Sequence, residues 1–311
     1  MPDVGPWNRI LVRHARQAFV DDATIAEQWQ ALNFTAAPDY GKAVAQYEKF
    51  VELLSTGAPV HQCDPASVQL NLDAIYVRDA SVMCARGAIL CRMGKPLRDQ
   101  EPAALAETYR GLGIPIAGAI EPPGTLEGGD VTWLGPRLAA VGRSYRTNDE
   151  GIRQLRNLLG DTVDELIVVP LPHYRGAGDV FHLMSIISPV DHDLAVVYSP
   201  LMPVSFRERL CDLGYTLVEV PDQEFDSIGA NVLAIAPGRC VMVEGNPKTR
   251  AGLERAGAEV LVYDGSEISL KGGGGPTCLT RPIQMGNWGT VPSSACSSRP
   301  RTVSGLRNSP S

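Results

Sequence analysis

Short apolar runs alternate with longer amphipathic stretches along most of this 311-residue chain. The runs are rich in Val, Ile and Leu, and Gly, Pro, Asp or Asn bounds each of them, as is typical of β-strands. They predict strands over Arg9–Ala15, Ala74–Met83, Gly87–Met93, Asp130–Gly135, Leu138–Ser144, Glu165–Pro172, Val180–Val190, Leu194–Pro200, Asn231–Gly238 and Arg239–Gly245.

The amphipathic stretches predict helices that separate these strands in a regular order. A further short strand follows each helix, in the segments PVHQC, IPIAGAI, ELIVVPL, YTLVEVP and AEVLVYDG. Strand pair, helix and strand therefore recur as a ββαβ unit, with a period of about fifty residues. The five predicted helices are Gly41–Ser55, Glu101–Leu112, Asp149–Leu159, Pro203–Leu213 and Pro247–Ala256.

The first and last predicted strands of the chain can belong to the same unit. If Arg9–Ala15 pairs with the last predicted strand, Thr277–Ile283, the chain contains five equal units. Because a closed ring removes the exposed edge strands of an open sheet, we expect an α/β ring with five-fold pseudosymmetry. An ordinary doubly wound α/β sheet also alternates strands and helices, and it stays open as the alternative.

Composition and charge limit the class of protein further. A hydrophobic content of 44% and a charged content of 20% are typical of a globular chain. The net charge of −7 argues against partners such as nucleic acid or an anionic membrane, which need a basic surface. No apolar run reaches the length of a membrane span, and the N-terminus lacks the pattern of a signal peptide, so we expect a cytoplasmic protein.

The domain organisation follows from where the periodicity stops. Residues 1–284 carry the repeat and are predicted to form a single α/β domain. Residues 285–311 are rich in Ser, Pro, Gly and Arg without apolar periodicity, and they are predicted to be a disordered tail.

One polar residue of catalytic type occupies the matching strand of each unit. These residues are Asp79, Glu127, His182, Asn231 and Cys278, and they are separated by 48, 55, 49 and 47 positions. In a ring, equivalent positions converge on the axis, so the five side chains would line one pocket. The set includes a nucleophile, a base and two carboxylates, which is the composition of an enzyme active site.

Cys278 and His182 have the chemistry of a nucleophile and a proton carrier. Cys278 comes after the segment KGGGGPT, and glycines let the backbone expose a side chain on a turn. A buried structural thiol is the alternative for Cys278. His182 lies in an apolar strand and alone would be a core histidine, but near Cys278 an imidazole can exchange protons in both directions.

Glu127 and Asp79 require a cation if they share a partly buried pocket, because unpaired buried carboxylates are costly. Glu127 opens the segment EGGD, which is also a common turn, and Asp79 follows Arg78, which could be its local ion-pair partner. A planar guanidinium is well matched to two carboxylates. The five histidines and the seven cysteines show none of the spacings of a metal site, so we expect no metal.

These segments resemble the guanidino-group-modifying superfamily of arginine deiminases, dimethylarginine dimethylaminohydrolases and glycine amidinotransferases. YVRD, LEGGDV, the FHL strand, GANVL and GGGGPTCLT match its motifs in order and spacing, between Ile10 and Pro282. The resemblance implies the five-fold α/β propeller fold, a small-molecule guanidino substrate and no cofactor. A homodimer is the assembly we expect.

The resemblance also implies a role for each site residue. Cys278 would attack the guanidinium carbon, His182 would protonate the leaving amine, and Glu127 would hold the guanidinium and orient His182. Asp79 would be the second guanidinium-binding carboxylate. The remaining substrate-binding candidates are Arg98 and Arg146, which match arginines that grip the substrate carboxylate, together with Asp130 and Asn231.

Two positions differ from the motifs of one branch or another of this superfamily, and they bear on which branch the chain resembles most. Met184 stands where arginine deiminases usually carry an Asp, which favours a dimethylargininase that releases methylamine or dimethylamine and citrulline. The Arg78–Asp79 pair is instead closer to the deiminases and amidinotransferases. Arginine deiminase or dihydrolase activity, amidino transfer, a non-catalytic protein that binds arginine derivatives, and a redox sensor that uses Cys278 stay open as alternatives.

Overall fold

Fifteen short strands form five three-stranded sheets in the computed structural model, which describes residues 3–63 and 70–284. The strands are β1 (Arg9–Val12), β2 (Val60–Gln62), β3 (Ser81–Cys84), β4 (Gly87–Leu90), β5 (Ile116–Ala119), β6 (Val131–Gly135), β7 (Leu138–Arg143), β8 (Glu165–Pro170), β9 (Ile187–Asp191), β10 (Leu194–Val197), β11 (Thr216–Glu219), β12 (Leu233–Ala236), β13 (Arg239–Val243), β14 (Glu259–Tyr263) and β15 (Arg281–Ile283).

The helices connect the strands of each unit. They are α1 (Ala15–Ala18), α2 (Asp22–Gln28), α3 (Tyr40–Leu54), α4 (Glu101–Gly111), α5 (Asp149–Leu159), α6 (Val204–Asp212), α7 (Asp222–Phe225) and α8 (Pro247–Arg255). The five predicted helices correspond to α3, α4, α5, α6 and α8, within one residue at either end. The short helices α1, α2 and α7 were not predicted from the sequence. α1 and α2 lie between β1 and α3 within one unit, and α7 lies between β11 and β12 of successive units.

Every sheet repeats one strand order. The first strand is antiparallel to the middle strand, and the middle strand is parallel to the third, as in β3-β4-β5 and β6-β7-β8. A long helix connects the middle and third strands, because parallel neighbours require a crossover connection. The predicted ββαβ unit is confirmed in each sheet.

The chain closes on itself through its two ends. β15 pairs antiparallel with β1, where Ile10 lies opposite Pro282, and β1 pairs parallel with β2. The last strand therefore completes the first sheet. The five sheets form a five-fold α/β propeller, as predicted, rather than the single open sheet of the alternative.

Burial shows how each sheet is oriented in the ring. The first strands are buried along nearly their whole length, whereas the third strands β2, β5, β8 and β11 are mostly half-exposed or exposed. The first strand of each sheet thus lies at the axis and the third at the rim. Side chains at the start of the first strands are brought towards one another.

Several predicted inner strands were too long. Ala74–Met83 and Val180–Val190 begin instead with 3₁₀ turns, at Leu72–Ile75 and Leu183–Ser185, and their strands start later. The turns form because the backbone there bonds to neighbouring units and to itself rather than to a strand: the N–H of Leu183, for example, donates to the carboxylate of Asp130. The polar residues at these positions therefore lie in turns that precede the strands.

No helix in the described ranges is long and apolar enough to cross a membrane. The predicted tail, residues 285–311, lies outside the described residues, so its assignment as a separate segment stays a prediction.

Candidate active site

The five equivalent polar residues lie in the turns immediately before the five inner strands. Asp79, Glu127, His182, Asn231 and Cys278 precede the first residue of their strands by two to five positions. All except Asn231 line one cavity of about 360 Å³, and Asn231 lines an adjoining cavity of about 140 Å³ together with His182 and Cys278. The ring brings together five residues that are far apart in the sequence.

His182 and Glu127 form the central buried pair of the site. Nε2 of His182 lies 2.8 Å from Oε2 of Glu127, and both side chains are almost completely buried. The other carboxylate oxygen, Oε1, accepts the backbone N–H groups of Gly94 at 2.9 Å and Lys95 at 3.1 Å. These bonds hold the carboxylate so that it orients the imidazole.

The surrounding charges favour the ionised forms of both partners. Burial lowers the pKa of the His182 imidazole, but the carboxylates of Asp79, Asp130 and Glu127 outweigh burial and raise this pKa above its usual value. Burial likewise opposes ionisation of Glu127, and the bond from His182 outweighs it, so that the pKa of Glu127 is lowered. The pair rests as an imidazolium and a carboxylate.

Asp79 is held between a backbone amide and an arginine. Its Oδ1 accepts a hydrogen bond from the backbone N–H of Gly129 at 3.0 Å, and its Oδ2 accepts one from Nη1 of Arg98 at 2.7 Å. Oδ1 also lies 3.9 Å from Nδ1 of His182. A Cβ atom on Gly129 would lie 2.5 Å from the His182 ring, so a glycine is needed where the EGGD turn passes between these side chains.

Arg98 lies beneath the site with most of its donors occupied. Its Nε and Nη2 donate to the two oxygens of Glu101 at 2.7 and 2.8 Å, and Nη2 also donates to the carbonyl of Tyr76 at 3.0 Å. Only 5% of Arg98 is exposed. In this arrangement Arg98 positions Asp79, and its predicted contact with a substrate carboxylate stays a prediction.

Arg146 is a buried cation without a close partner. Its guanidinium lies 3.7 Å from Oε1 of Glu127, which is too long for a hydrogen bond, and its Nε has no hydrogen-bond partner among the described residues. About 93% of the side chain is removed from solvent, given its 7% relative exposure. Arg146 lines the cavity, so the site offers a positive charge that an anionic group could neutralise.

Asp130 connects two neighbouring units. Its Oδ2 accepts the hydroxyl of Ser144 at 2.6 Å and its Oδ1 accepts the N–H of Leu183 at 3.0 Å. Burial raises the pKa of Asp130 to about 6, although these bonds and His182 oppose that rise. Both oxygens of Asp130 are thus used within the protein, and its predicted contact with substrate stays a prediction.

Cys278 and Asn231 meet at the inner side of the cavity. The side-chain oxygen of Asn231 accepts both the N–H and the hydroxyl of Thr277, at 3.0 and 2.9 Å. This fixes the amide so that its Nδ2 points at Sγ of Cys278, 3.5 Å away. A Cβ atom on Gly275 would lie 2.4 Å from Asn231, so this member of the glycine run lets the two segments approach.

The surroundings of Cys278 favour its thiol form over the thiolate. Burial raises its pKa to about 11, and the negative charge of Asp79 adds to the rise, while Thr277 and Arg78 oppose it. The thiolate is the more reactive form of a cysteine, and a positive charge that entered the cavity would lower the pKa of Cys278 and increase the thiolate fraction.

Three side chains of the site could share a bound cation. Ligand atoms of Asp79, Glu127 and His182 lie within 4.8 Å of one another. Arg98 and the backbone amides of residues 94 and 95 already donate to these carboxylates, and the imidazole is held in its protonated form. A flat cation that donates several hydrogen bonds fits this donor set better than a metal ion, which would need the imidazole to lose its proton.

Asp73 and Lys95 line the same cavity and were missed by the sequence analysis. Nζ of Lys95 lies 2.6 Å from Oδ2 of Asp73. Neither residue belongs to the five equivalent positions, and only their contact in three dimensions identifies them.

The comparisons agree on one family. A family model described as arginine deiminase matches residues 70–214 and 204–284. A Streptomyces coelicolor protein named N(G),N(G)-dimethylarginine dimethylaminohydrolase is 31% identical over 78% of this chain and 86% of its own length. The protein of that name from Pseudomonas aeruginosa is 28% identical over 88% of this chain and 98% of its own length. A Rhodococcus opacus arginine deiminase is 30% identical over 67% of this chain and 59% of its own length.

Solved structures agree with these relatives. The adduct of a dimethylarginine dimethylaminohydrolase with S-methyl-L-thiocitrulline superposes with a TM-score of 0.73 at 25% identity, over 89% of this chain and all of that chain. The product-bound N-terminal domain of ArgZ, described as a cyanobacterial arginine dihydrolase, gives a TM-score of 0.74 at 18% identity over 89% of this chain and 97% of that chain. The latter likeness concerns the fold alone.

Proposed function

The chain belongs to the arginine deiminase family of guanidino-modifying proteins, where it is most like the dimethylargininases, and from this premise we propose that it hydrolyses a guanidino C–N bond of arginine derivatives. One observation carries the proposal. A cysteine, a histidine and two carboxylates, each from a different unit, line a single cavity. A protein that only binds its ligand needs no nucleophile at this position.

Substrate binding prepares the nucleophile. The guanidinium of the substrate lies between Asp79 and Glu127, whose charges neutralise it. Its positive charge lowers the pKa of the Cys278 thiol, which loses its proton to water, and the amide of Asn231 donates to the thiolate. Sγ then adds to the guanidinium carbon, and a C–S bond forms.

His182 carries protons in both halves of the reaction. As an imidazolium it gives a proton to the departing amine, so the C–N bond breaks and an S-alkylthiouronium remains on Cys278. The neutral imidazole then takes a proton from a water molecule that attacks the same carbon. The second proton of this water passes to the departing sulfur as the C–S bond breaks, so the Cys278 thiol, a ureido product and the protonated histidine result.

The adjoining cavity of about 140 Å³ favours a substituent on the leaving nitrogen. It opens beside His182 and Cys278, and its wall combines apolar side chains with charged ones. The apolar side chains include Met184, Phe181 and Phe225, and the charged ones are Arg175, Asp179 and Asp226. Burying methyl groups there is favourable, whereas the ammonia released by an unsubstituted guanidine would not use this surface. We therefore propose N-methylated arginine as substrate, with citrulline and methylamine or dimethylamine as products.

Arginine deiminase or dihydrolase activity is the second candidate. It is favoured by the named deiminases among the relatives, which match this chain at about 30% identity, the same level as the dimethylargininases. In that case arginine itself would yield citrulline or ornithine together with ammonia.

Product analysis tests the proposal. The purified protein is incubated separately with arginine, monomethylarginine, asymmetric dimethylarginine, and arginine plus glycine, and citrulline, ornithine and free amines are quantified. Dimethylamine with citrulline from the dimethylated substrate is the expected result. Ammonia from arginine would support the second candidate, ornithine formed only with glycine would indicate amidino transfer, and the absence of products would contradict the proposal.

Two variants and a chelator control this experiment. Cys278→Ala should abolish turnover, whereas Cys211→Ala should leave it unchanged, because Cys211 lies exposed on α6, away from the cavity. An excess of EDTA should not lower the activity, since the proposed steps use only side chains. Turnover that survives Cys278→Ala would exclude the covalent mechanism.

A further inference from the structure

The cavity has a second polar end, formed by Asp73, Lys95 and the carbonyl of Leu32. Nζ of Lys95 donates to Oδ2 of Asp73 at 2.6 Å and to the carbonyl oxygen of Leu32 at 2.8 Å. The side chains of Lys95 and Asp73 are only 11% and 6% exposed. An ammonium group of the protein itself therefore occupies the acceptors at this end.

Lys95 also links this end to the position of the guanidinium. Its backbone N–H donates to Glu127 at 3.1 Å, while its side chain reaches Asp73. The two ends are thus separated by the length of one lysine side chain, which has four methylene groups. The arginine side chain has three between its α-carbon and its guanidino group, so the α-carbon of a bound arginine would come close to Nζ of Lys95.

The charges at this end disfavour a second cation, and a cation elsewhere in the cavity is available to an anion. A substrate ammonium would meet the ammonium of Lys95, and the carboxylate that could accept it is already paired. Arg146 lines the same cavity, 3.7 Å from Glu127, and is a buried cation whose Nε lacks a hydrogen-bond partner among the described residues, so it can pair with a carboxylate of the substrate. Asp179 and Asp226 are further carboxylates of the cavity wall, on other segments of the chain. Asp226 already accepts a hydrogen bond from Nη2 of Arg175 at 2.7 Å.

We propose that this site recognises the carboxylate of its substrate but not an α-ammonium group, and that ω-guanidino acids are therefore better substrates than the corresponding arginines. Lys95 is the residue that determines this specificity. The inference rests on the proposed function and concerns the same reaction, which would then release the same amine and leave an ω-ureido acid in place of citrulline.

Two substrates that differ only in the α-ammonium group test this inference. One is monomethylarginine, and the other is N-methylated δ-guanidinovalerate, in which hydrogen replaces the amino group. The kcat/KM for methylamine release is measured for both with the wild-type protein and with Lys95→Met. This variant has an unbranched side chain that is one atom shorter and carries no charge, so it keeps the backbone bond to Glu127 but frees Asp73.

The wild-type protein should favour the guanidino acid, and Lys95→Met should shift the ratio of the two kcat/KM values towards the amino acid by about tenfold or more, since a buried carboxylate then gains an ammonium partner. Lys49→Gln removes an exposed charge on α3 and should leave the ratio unchanged. A wild-type preference for the amino acid, or a shift of less than about fivefold in Lys95→Met, overturns the inference.

Further arms of the same experiment separate the other outcomes. If Lys95→Met does not fold because Asp73 is left unpaired, the double variant Lys95→Met/Asp73→Asn removes both charges and should keep the preference for the guanidino acid. A preference for the amino acid that disappears in Asp179→Asn would assign the ammonium site to Asp179 and reject the inference. Release of methylamine from neither substrate would contradict the proposed function itself.

Discussion

At the scale of single residues, the surroundings of the site favour the protonated forms of both His182 and Cys278. Carboxylates surround His182 and raise its pKa, so the imidazole is ready to act as an acid. Burial keeps Cys278 as a thiol, which is a poor nucleophile. In the proposed mechanism the guanidinium of the substrate supplies a positive charge beside Cys278, so the thiolate would form when the substrate is in place.

The protonation state of Cys278 predicts how its alkylation depends on pH. Burial raises the pKa of the Cys278 thiol to about 11. In the ligand-free protein the thiolate fraction should therefore still increase at pH 10, whereas the thiolate fraction of an ordinary cysteine has nearly reached its maximum at that pH. The rate of alkylation by iodoacetamide, followed by mass spectrometry of the peptide that contains residue 278, should show this continuous rise.

Cys278→Ser is the control for the labelled peptide, and circular dichroism at each pH verifies that the fold is intact. A plateau of the alkylation rate below pH 9 would show that the thiol pKa is not raised and would contradict the resting state described above.

At the scale of elements, the site depends on short turns held by neighbouring segments. The turn Pro96–Arg98 and the start of α4 place Arg98 and Glu101 three residues apart, and their side chains form a bidentate pair. Through Nη1, the same guanidinium holds Asp79 at the start of β3. One helix start thus positions a carboxylate that lies more than twenty residues earlier.

Glu101→Gln should therefore affect both stability and activity. The change removes one partner of a buried pair and should lower the free energy of unfolding by about 3 kcal/mol. Because Asp79 is then held less firmly, kcat/KM should fall by about tenfold. Urea unfolding and steady-state kinetics measure the two effects.

Glu254→Gln is the matched control on α8. It removes a carboxylate from an exposed ion pair with Arg250 and should change stability by less than about 0.5 kcal/mol. If the two substitutions changed the free energy of unfolding and kcat/KM equally, the Arg98–Glu101 pair would contribute no more to stability or to the site than an exposed ion pair.

At the scale of the whole molecule, the ring is closed by three residues of β15 that pair with β1. Ile283 is completely buried in a cluster that includes Leu11 of β1 and Tyr109 of α4. This cluster joins the last strand of the chain to the first two units. The closing strand also directly follows Cys278, so ring closure and assembly of the site are connected.

Ile283→Ala should lower the free energy of unfolding by about 3 kcal/mol, because it leaves a cavity in the closing cluster. Urea unfolding is followed by fluorescence and by enzyme assays in parallel. Fluorescence and activity should be lost together in a single cooperative transition, at a lower urea concentration than in the wild-type protein. Val204→Ala, at a side chain that is 73% exposed, should change stability by less than about 0.5 kcal/mol. Separate transitions for fluorescence and activity would contradict the view that pairing of β15 with β1 stabilises the whole ring and the site together.

The repeat and the five equivalent positions could be predicted from the sequence because both are local in origin. Apolar periodicity reports which residues form strands and helices, and repetition places Asp79, Glu127, His182, Asn231 and Cys278 at equivalent points. The lengths of the inner strands were less predictable, since the turns before them depend on bonds to neighbouring units.

The sequence by itself thus determined the α/β repeat, the number of units and the chemistry of the residues that face the axis. Only the tertiary structure decided how those groups are charged and which of them are already occupied. The pairing of Arg98 with Asp79 and the contact of Lys95 with Asp73 and Leu32 arise between separate segments. The same holds for the surroundings of Arg146, which leave its Nε without a hydrogen-bond partner among the described residues. Hydrogen bonds and desolvation act over a few ångströms in space, and this proximity is not encoded in any local pattern of the chain.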